Sequence, residues 1–367
     1  MIESFRIQNF RCFADLTVGP LGRVNLIAGK NNAGKTALLE ALFVYTARAE
    51  RPSRWLDLVA RGPRARSSTT PSVENLVDGI KWLFRNRQHA AETSIALEGV
   101  PQGGKANRVS ARLSPVQGFR PVPGPGDQGW QGGQVSQFLG EDTQQDDLLI
   151  EFQEGDQVLR AKIHLASGDL ASHTELRGQG ESLPCLFLPP GSKPNEKDLT
   201  RFSELKAEKR DRAIVEALRL FEPRLTDLQI LVPPSQDASL HGDIGIGRML
   251  PISLMGDGVQ RLTSILMAAI AASGGLLLID EIENGIHHSV QKDFFRVIAQ
   301  SSRENKVQIF ATTHSHECIE AAQTAFAGEH ANDLRLHRLE VVKGDLKAIT
   351  FDSEDLATAV DMKHEVR

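Results

Sequence analysis

The chain has 367 residues, 40% of them hydrophobic and 24% charged, the composition of an ordinary globular protein of about two domains, which excludes wholesale disorder. No apolar run approaches the roughly 20 residues that cross a bilayer; the longest, Ile265 to Ile279, is interrupted by Ser273, Gly274 and Gly275. A formal net charge of -5 argues against a surface built to grip nucleic acid everywhere.

The N-terminus, MIESFRIQNFRCF, has no apolar signal core. Within it Ile2, Phe5 and Ile7 approximate the period of two that marks a half-buried strand. Gly19, Pro20 and Gly22 punctuate the chain before an apolar strand, Val24 to Ala28. A glycine-rich loop, Gly29 to Gly34, follows, and Thr36 to Thr46 reads as a helix with Leu38, Leu39, Ala41, Leu42 and Tyr45 at helical spacing. From about Arg51 the composition shifts. Arg48, Arg51, Arg54, Arg61, Arg64 and Arg66, then Lys81, Arg85 and Arg87, read first as a solvated, partly irregular surface with balancing acids elsewhere, and are the stretch where a contact with DNA or another polyanion would fall. Val73 to Arg85 reads as a short helix, and Thr93 to Leu97 and Ser110 to Leu113 as weak strands. Glycine and proline are so dense between Pro101 and Gly140 that a long mobile loop is expected. Strand patterns resume at Leu148 to Phe152 and Val158 to Leu165. The expectation for 47–183 is an inserted lobe of hairpins.

Cys185 to Leu188 is a short buried strand between prolines, and Asp198 to Leu220 a charged amphipathic helix too short for a long coiled coil. Helix at Gln260 to Ala272, strand at Gly275 to Ile279, helix at Val290 to Gln300 and strand at Val307 to Thr312 alternate, which predicts a parallel sheet covered on both faces. A hairpin, Arg335 to Val342 and Leu346 to Phe351, and a short helix in 352–367 complete the chain. Cys12, Cys185 and Cys318 are too few and too scattered for a disulfide frame or a zinc knuckle, and MKHEVR carries no lipidation or retention motif. A cytoplasmic protein without membrane attachment is expected.

Three segments carry chemistry. Gly29, Lys30, Asn31, Asn32, Ala33, Gly34, Lys35 and Thr36 satisfy GxxxxGK[ST] between a strand and a helix. There the loop N–H groups and the helix N-terminus can cradle phosphates, Lys35 can reach the β- and γ-phosphates, and the Thr36 hydroxyl can ligate magnesium. Leu276 to Ile279 delivers two carboxylates at the carboxyl end of a strand, Asp280 for magnesium and Glu281 to polarise the attacking water. Ile309 to Thr313 delivers His314, placed to hydrogen-bond a γ-phosphate.

In this order the three segments resemble an ABC-type ATPase of the RecF, SMC and OLD (overcoming lysogenization defect) group. The similarity extends to Ile7-Gln8-Asn9-Phe10-Arg11-Cys12-Phe13 and to Asp280-Glu281-Ile282-Glu283-Asn284-Gly285-Ile286-His287. It implies an α/β fold: an ABC-type P-loop ATPase head, with a mixed sheet and helices on both faces, split over 1–46 and 184–351 around the lobe, and no long coiled coil. It implies ATP and Mg2+, and Arg11 as a further nucleotide contact. Such heads work in pairs, so Gly256 and Gly258 in SLMGDGVQR stand where a signature loop would reach the γ-phosphate of a second copy, although Met255 and Asp257 depart from LSGGQ.

OLD proteins continue into a TOPRIM nuclease domain, which is not expected here. The resulting expectation is an ATPase whose ATP-driven dimerisation controls a separately encoded nuclease or toxin, as in anti-phage defence. The alternatives are a RecF-like DNA-repair clamp and a nucleotide-gated scaffold with little turnover. His287, His288, His314 and His316 lack a hydrolase metal spacing, and Gly242 to Gly247 superficially resembles a dinucleotide loop without the preceding strand.

Overall fold

The computed structural model describes residues 1–47, 54–60, 78–87, 93–115, 146–154, 157–164, 174–177, 183–232, 237–328 and 330–361. The expected strand, loop and helix at the start appear as β1 (Ile2–Phe10), β2 (Phe13–Val18), β3 (Val24–Gly29) and α1 (Lys35–Tyr45), followed by α2 (Arg54–Ala60). A meander of β4 (Ile95–Pro101), β5 (Asn107–Pro115), β6 (Asp146–Glu154), β7 (Gln157–His164) and β8 (Thr174–Arg177) comes next. These five strands continue the N-terminal hairpin as one antiparallel sheet, ordered β2-β1-β4-β5-β6-β7-β8, joined where Ile7 pairs with Leu97.

The weak strand expected at Ser110 to Leu113 is present and longer, as β5, and the loop expected over 101–140 is corrected in its first part, because β5 pairs with both β4 and β6. Alternating Val109, Ala111 and Leu113 are buried there, a period-two signal masked by the surrounding glycine and proline. The rest of that loop, 116–145, and residues 73–77 of the helix expected at Val73 to Arg85 lie outside the described residues; in 78–87 only 78–81 are α-helical.

The remaining elements are β9 (Cys185–Leu188), α3 (Glu196–Ala207), α4 (Arg212–Leu218), β10 (Asp227–Leu231), β11 (Ser239–Asp243), β12 (Leu250–Pro251) and α5 (Asp257–Ala271). After these come β13 (Leu276–Ile279), α6 (His288–Glu304), β14 (Gln308–Thr312), α7 (His316–Phe326), β15 (Leu334–Val342), β16 (Asp345–Phe351) and α8 (Ser353–Asp361). The single helix expected over Asp198 to Leu220 is two. Asn195 and Asp198 form a reciprocal capping box that starts α3 earlier. Lys209, at φ 57, is left-handed, and Arg210 N–H bonds back to Leu205 O, which ends α3 in a Schellman-type turn before α4. Strands β10 to β12 form a small sheet that the sequence pattern does not disclose.

The second large sheet runs β16-β15-β3-β14-β13-β9, parallel from β15 to β9 and antiparallel only at β16. Alternate residues face opposite cores. Ile27, Leu276, Leu278 and Phe310 pack with α1 and the other large sheet, whereas Leu26, Leu277, Ile279 and Ile309 pack with α5, α6 and α7. The fold is thus mixed α/β, with the parallel strands covered on both faces as their uninterrupted apolar runs require. The longest helix among the described residues has 17 residues, and no described helix is long and apolar enough to cross a membrane.

A buried histidine ties this sheet together. His337 on β15 lies 3.2 Å from Asn25 Oδ1 and 2.9 Å from Thr350 Oγ1. Burial, helped by Arg335, pushes its pKa down from 6.5 to about 3. The unfolded chain therefore binds a proton that the folded chain refuses, so the stability this imidazole contributes is complete above pH 6.5 and is lost as pH falls from there toward 3. Between pH 6.5 and 5 the wild type is expected to lose up to about 1.4 kcal/mol per pH unit more than His337→Asn. Urea midpoints at the two pH values measure the difference; equal losses would remove the assignment.

Candidate functional site: a phosphate-loop cleft

The parallel strands β3, β13 and β14 end together, with Ile27 beside Thr312 and Ile279 beside Ala311. Their following loops therefore share one edge of the sheet, where open α/β sheets place ligands. The loop after β3 turns on two glycines with positive φ, Gly29 at 143 and Gly34 at 85. A Cβ at Gly29 would stand 2.6 Å from Leu339 O, and one at Gly34 would stand 2.7 Å from Cys12 Sγ, so neither position has room for a side chain. Between them Lys30 and Asn31 are exposed, Asn32 is left-handed at φ 64, and Ala33 tucks under the loop.

Helix α1 starts directly after Gly34 without a side-chain cap or an acidic residue in its first turn. Its first N–H groups and the positive end of its dipole thus remain available to an anion. Lys35 Nζ folds back across the loop and donates to Gly29 O at 2.7 Å and Lys30 O at 3.1 Å. Burial holds its pKa below the ordinary lysine value, opposed by Asp280, Glu283 and Glu281.

Strand β13 supplies the opposite wall. Thr36 Oγ1 donates to Asp280 Oδ2 at 3.0 Å, and Thr312 Oγ1 donates to Asp280 Oδ1 at 2.5 Å. The same Thr312 oxygen accepts from Glu281 N–H at 2.8 Å. Glu281 holds a left-handed backbone, φ 49, which a non-glycine residue adopts only under constraint. Arg261 on α5 provides that constraint. Only 2% exposed, it donates through Nη2 to Asp280 O at 2.8 Å and Glu281 O at 3.1 Å, and through Nη1 to Pro189 O at 3.0 Å. Burial lowers the Arg261 pKa, while Asp280, Glu281 and Glu283 raise it.

His314 follows β14. Glu283 Oε1 accepts from the His314 main-chain N–H at 3.0 Å and lies 3.2 Å from His314 Nδ1. The carboxylate is nearly buried and the imidazole is more than half exposed, so Glu283 holds the ring through its Nδ1 side at the edge of the cleft.

The result is a cleft of about 520 Å³, with Asn31, Asn32, Gly34, Lys35 and Thr36 on one side and Asp280, Glu281, Thr312, Thr313 and His314 on the other. One cation faces two carboxylates across it. The Thr36 hydroxyl and the Asp280 carboxylate, already in contact, are hard oxygen donors of the type a magnesium ion takes. Such a cleft can bind a polyphosphate at the loop and present a base to water at the other end.

Three expected residues stand elsewhere. Arg11 pairs with Glu40 of α1 at 2.9 Å and does not line the cleft. Gly256 precedes α5 and Gly258 packs on the Phe221 ring, also outside the cleft of their own chain; Asp257 between them lies 3.3 Å from Lys193. His287 caps α6 and its ring lies 4.2 Å from that of His288. Thr312, Glu283 and Arg261 enter the site without having been assigned a role from the sequence. Thr312 is visible there only as the hydroxyl that closes an apolar strand. Glu283 is visible as a third carboxylate three residues beyond Asp280.

The chain is similar to an ATP/GTP phosphatase of Helicobacter pylori, 24% identical over 364 residues that cover 87% of each chain. A DNA replication and repair protein RecF of Bacillus cytotoxicus is 23% identical over 396 residues, covering 92% of this chain and 100% of that protein. Among solved structures, an Smc head domain bound to the C-terminal domain of ScpA derived from Pyrococcus furiosus aligns with a TM-score of 0.47 at 11% identity, over 99% of each chain. The family described as "AAA domain, putative AbiEii toxin, Type IV TA system" matches residues 24–320. That span includes every residue lining the cleft, and the chain belongs to this family.

Proposed function

We propose that the protein is a magnesium-dependent ATP hydrolase. The observation that carries this reading is the meeting of Lys35, Thr36, Asp280 and Glu281 in one cleft, with the Thr36 hydroxyl 3.0 Å from the Asp280 carboxylate. The loop N–H groups and Lys35 bind the β- and γ-phosphates and hold them in line. Thr36 and Asp280 would hold Mg2+, which neutralises charge developing on the phosphate oxygens. Glu281 accepts a proton from the attacking water, whose oxygen bonds to the γ-phosphorus as the bond to the β,γ-bridging oxygen breaks, giving ADP and phosphate. His314, oriented by Glu283, hydrogen-bonds the transferred phosphoryl group.

ATP in this reading times a change of shape. Two copies close on the nucleotide with Gly256 and Gly258 of one facing the phosphate loop of the other, and the closed pair governs a separately encoded nuclease or toxin, as in an OLD-like anti-phage system. The family's description, which names a "putative AbiEii toxin" and a "Type IV TA system", is the support for placing a toxin system around this ATPase. The RecF relative, matched over its whole length, favours a second reading, a DNA-repair clamp. Phosphate release that requires both ATP and Mg2+ tests the enzyme. Co-purification with the product of a neighbouring gene separates the two roles: a stoichiometric partner supports effector control, whereas no partner, together with ATP-dependent duplex binding that is steeply salt-sensitive, supports the clamp.

A further inference from the structure

The base and ribose of the nucleotide need a place beyond the phosphates, and the geometry points to Trp82 as the stacking platform for the nucleobase. This assignment rests on the phosphate-loop reading of the cleft. Asp280, Glu281 and His314 occupy the side where the terminal phosphate reacts. The nucleoside therefore leaves on the other side of the loop, past Gly34. There Cys12 and Phe13, from the turn between β1 and β2, stand so close to Gly34 that a Cβ would meet them at 2.7 and 2.9 Å.

That turn is pinned to the segment that carries Trp82. Arg11 N–H donates to Leu83 O at 2.7 Å, and Phe10 and Phe84 form an isolated β-bridge. The main chain that carries Trp82 is thereby tied to the same turn that crowds Gly34. Trp82 is 50% exposed, the only large aromatic residue so exposed among the described residues, whereas Trp55 is fully buried. The Arg87 guanidinium lies over the Trp82 ring, 4.8 Å from its centroid, and is itself held by an ion pair with Asp78. The cation thus backs a ring that is still half exposed. A rigid aromatic face backed by a cation stacks any base through its π-surface, without reading its edge. The ligand class is a nucleoside triphosphate whose base is held by stacking, whichever base it carries.

Calorimetric titration of wild type, Trp82→Ala, Trp82→Phe and Lys35→Ala with Mg-bound, non-hydrolysable ATP and with Mg-tripolyphosphate tests the assignment. Tripolyphosphate offers the phosphates and no base. Trp82→Ala is expected to weaken ATP binding roughly ten-fold and to leave tripolyphosphate within about two-fold, with Trp82→Phe recovering most of the loss. Unchanged ATP affinity in Trp82→Ala overturns the platform. An equal loss of both ligands overturns it too, since Trp82 would then shape the loop rather than meet the base. Failure of the underlying reading looks different: wild type binding neither ligand, or Lys35→Ala binding both as wild type does, overturns the phosphate site itself and the platform with it.

Discussion

Lys35→Ala is expected to lower ATP affinity roughly a hundred-fold and to bring phosphate release to background. Charge-assisted hydrogen bonds to phosphate are about twice as strong as neutral ones, and the lysine is the only cation among the residues lining the cleft. In the free protein its ammonium group is held by Gly29 O and Lys30 O, and Lys30 O also accepts from Ala33 N–H, so the turn keeps a bond of its own when the ammonium is removed. The substitution therefore costs little folding stability, and the loss appears in binding. Burial also lowers the Lys35 pKa, so part of the desolvation that binding a phosphate requires is already met in the fold. Arginine is no substitute, because a planar fork replaces a compact charge that must bridge loop and ligand. Titration with a non-hydrolysable ATP analogue and an unfolding curve in the absence of nucleotide separate the two effects. Retained affinity with retained turnover would remove the central assignment.

The parts of this site that were legible in the sequence are those whose chemistry is local. Gly29 to Thr36 reveals itself because the turn needs glycine at two crowded positions and the helix follows at once. Asp280 and Glu281 reveal themselves because two carboxylates end an apolar strand in a chain that also carries a phosphate loop; without that loop they would read as readily as a solvated turn. Thr312, Glu283 and Arg261 act at a distance in sequence. Arg261 stands 19 residues before Asp280, whose carbonyl it holds, and Thr312 stands 32 residues after it; the packing of α5 on the sheet brings the first to Asp280, and the parallel register of β13 with β14 brings the second. The strand at Asn107–Pro115 was legible only as its weak middle, Ser110 to Leu113, for a related reason: its alternation is short and its neighbours are rich in glycine and proline, and it is pairing with β4 and β6 that sets its full length. The division of the charged helix near Lys209 also depends on a single left-handed residue, which no periodicity records.

Glu281→Gln is expected to reduce turnover by about 10²- to 10⁴-fold, the contribution of a positioned general base, while ATP binding is kept or tightened. The geometry makes this substitution clean. What holds residue 281 in place is its main chain: the N–H bonds to Thr312 Oγ1 and the carbonyl accepts from Arg261. Both bonds survive a change in the side chain, so the left-handed turn and the cleft persist. What changes is one charge and one proton acceptor. An amide cannot take the proton from water, and losing a negative charge beside the bound phosphates favours binding, as does the relief of repulsion with Asp280. The variant should therefore accumulate as the ATP-bound form, which gives a direct readout: a paired species that forms with ATP and persists, seen by light scattering, where wild type returns to its starting state as ATP is consumed. Glu283→Gln provides the internal control. That side chain holds His314 and does not line the cleft, so turnover should fall less and affinity little. If Glu281→Gln and wild type release phosphate at the same rate, Glu281 is not the base; if both rates are indistinguishable from solvent hydrolysis, the protein uses ATP as a bound switch and the cleft is a binding site alone.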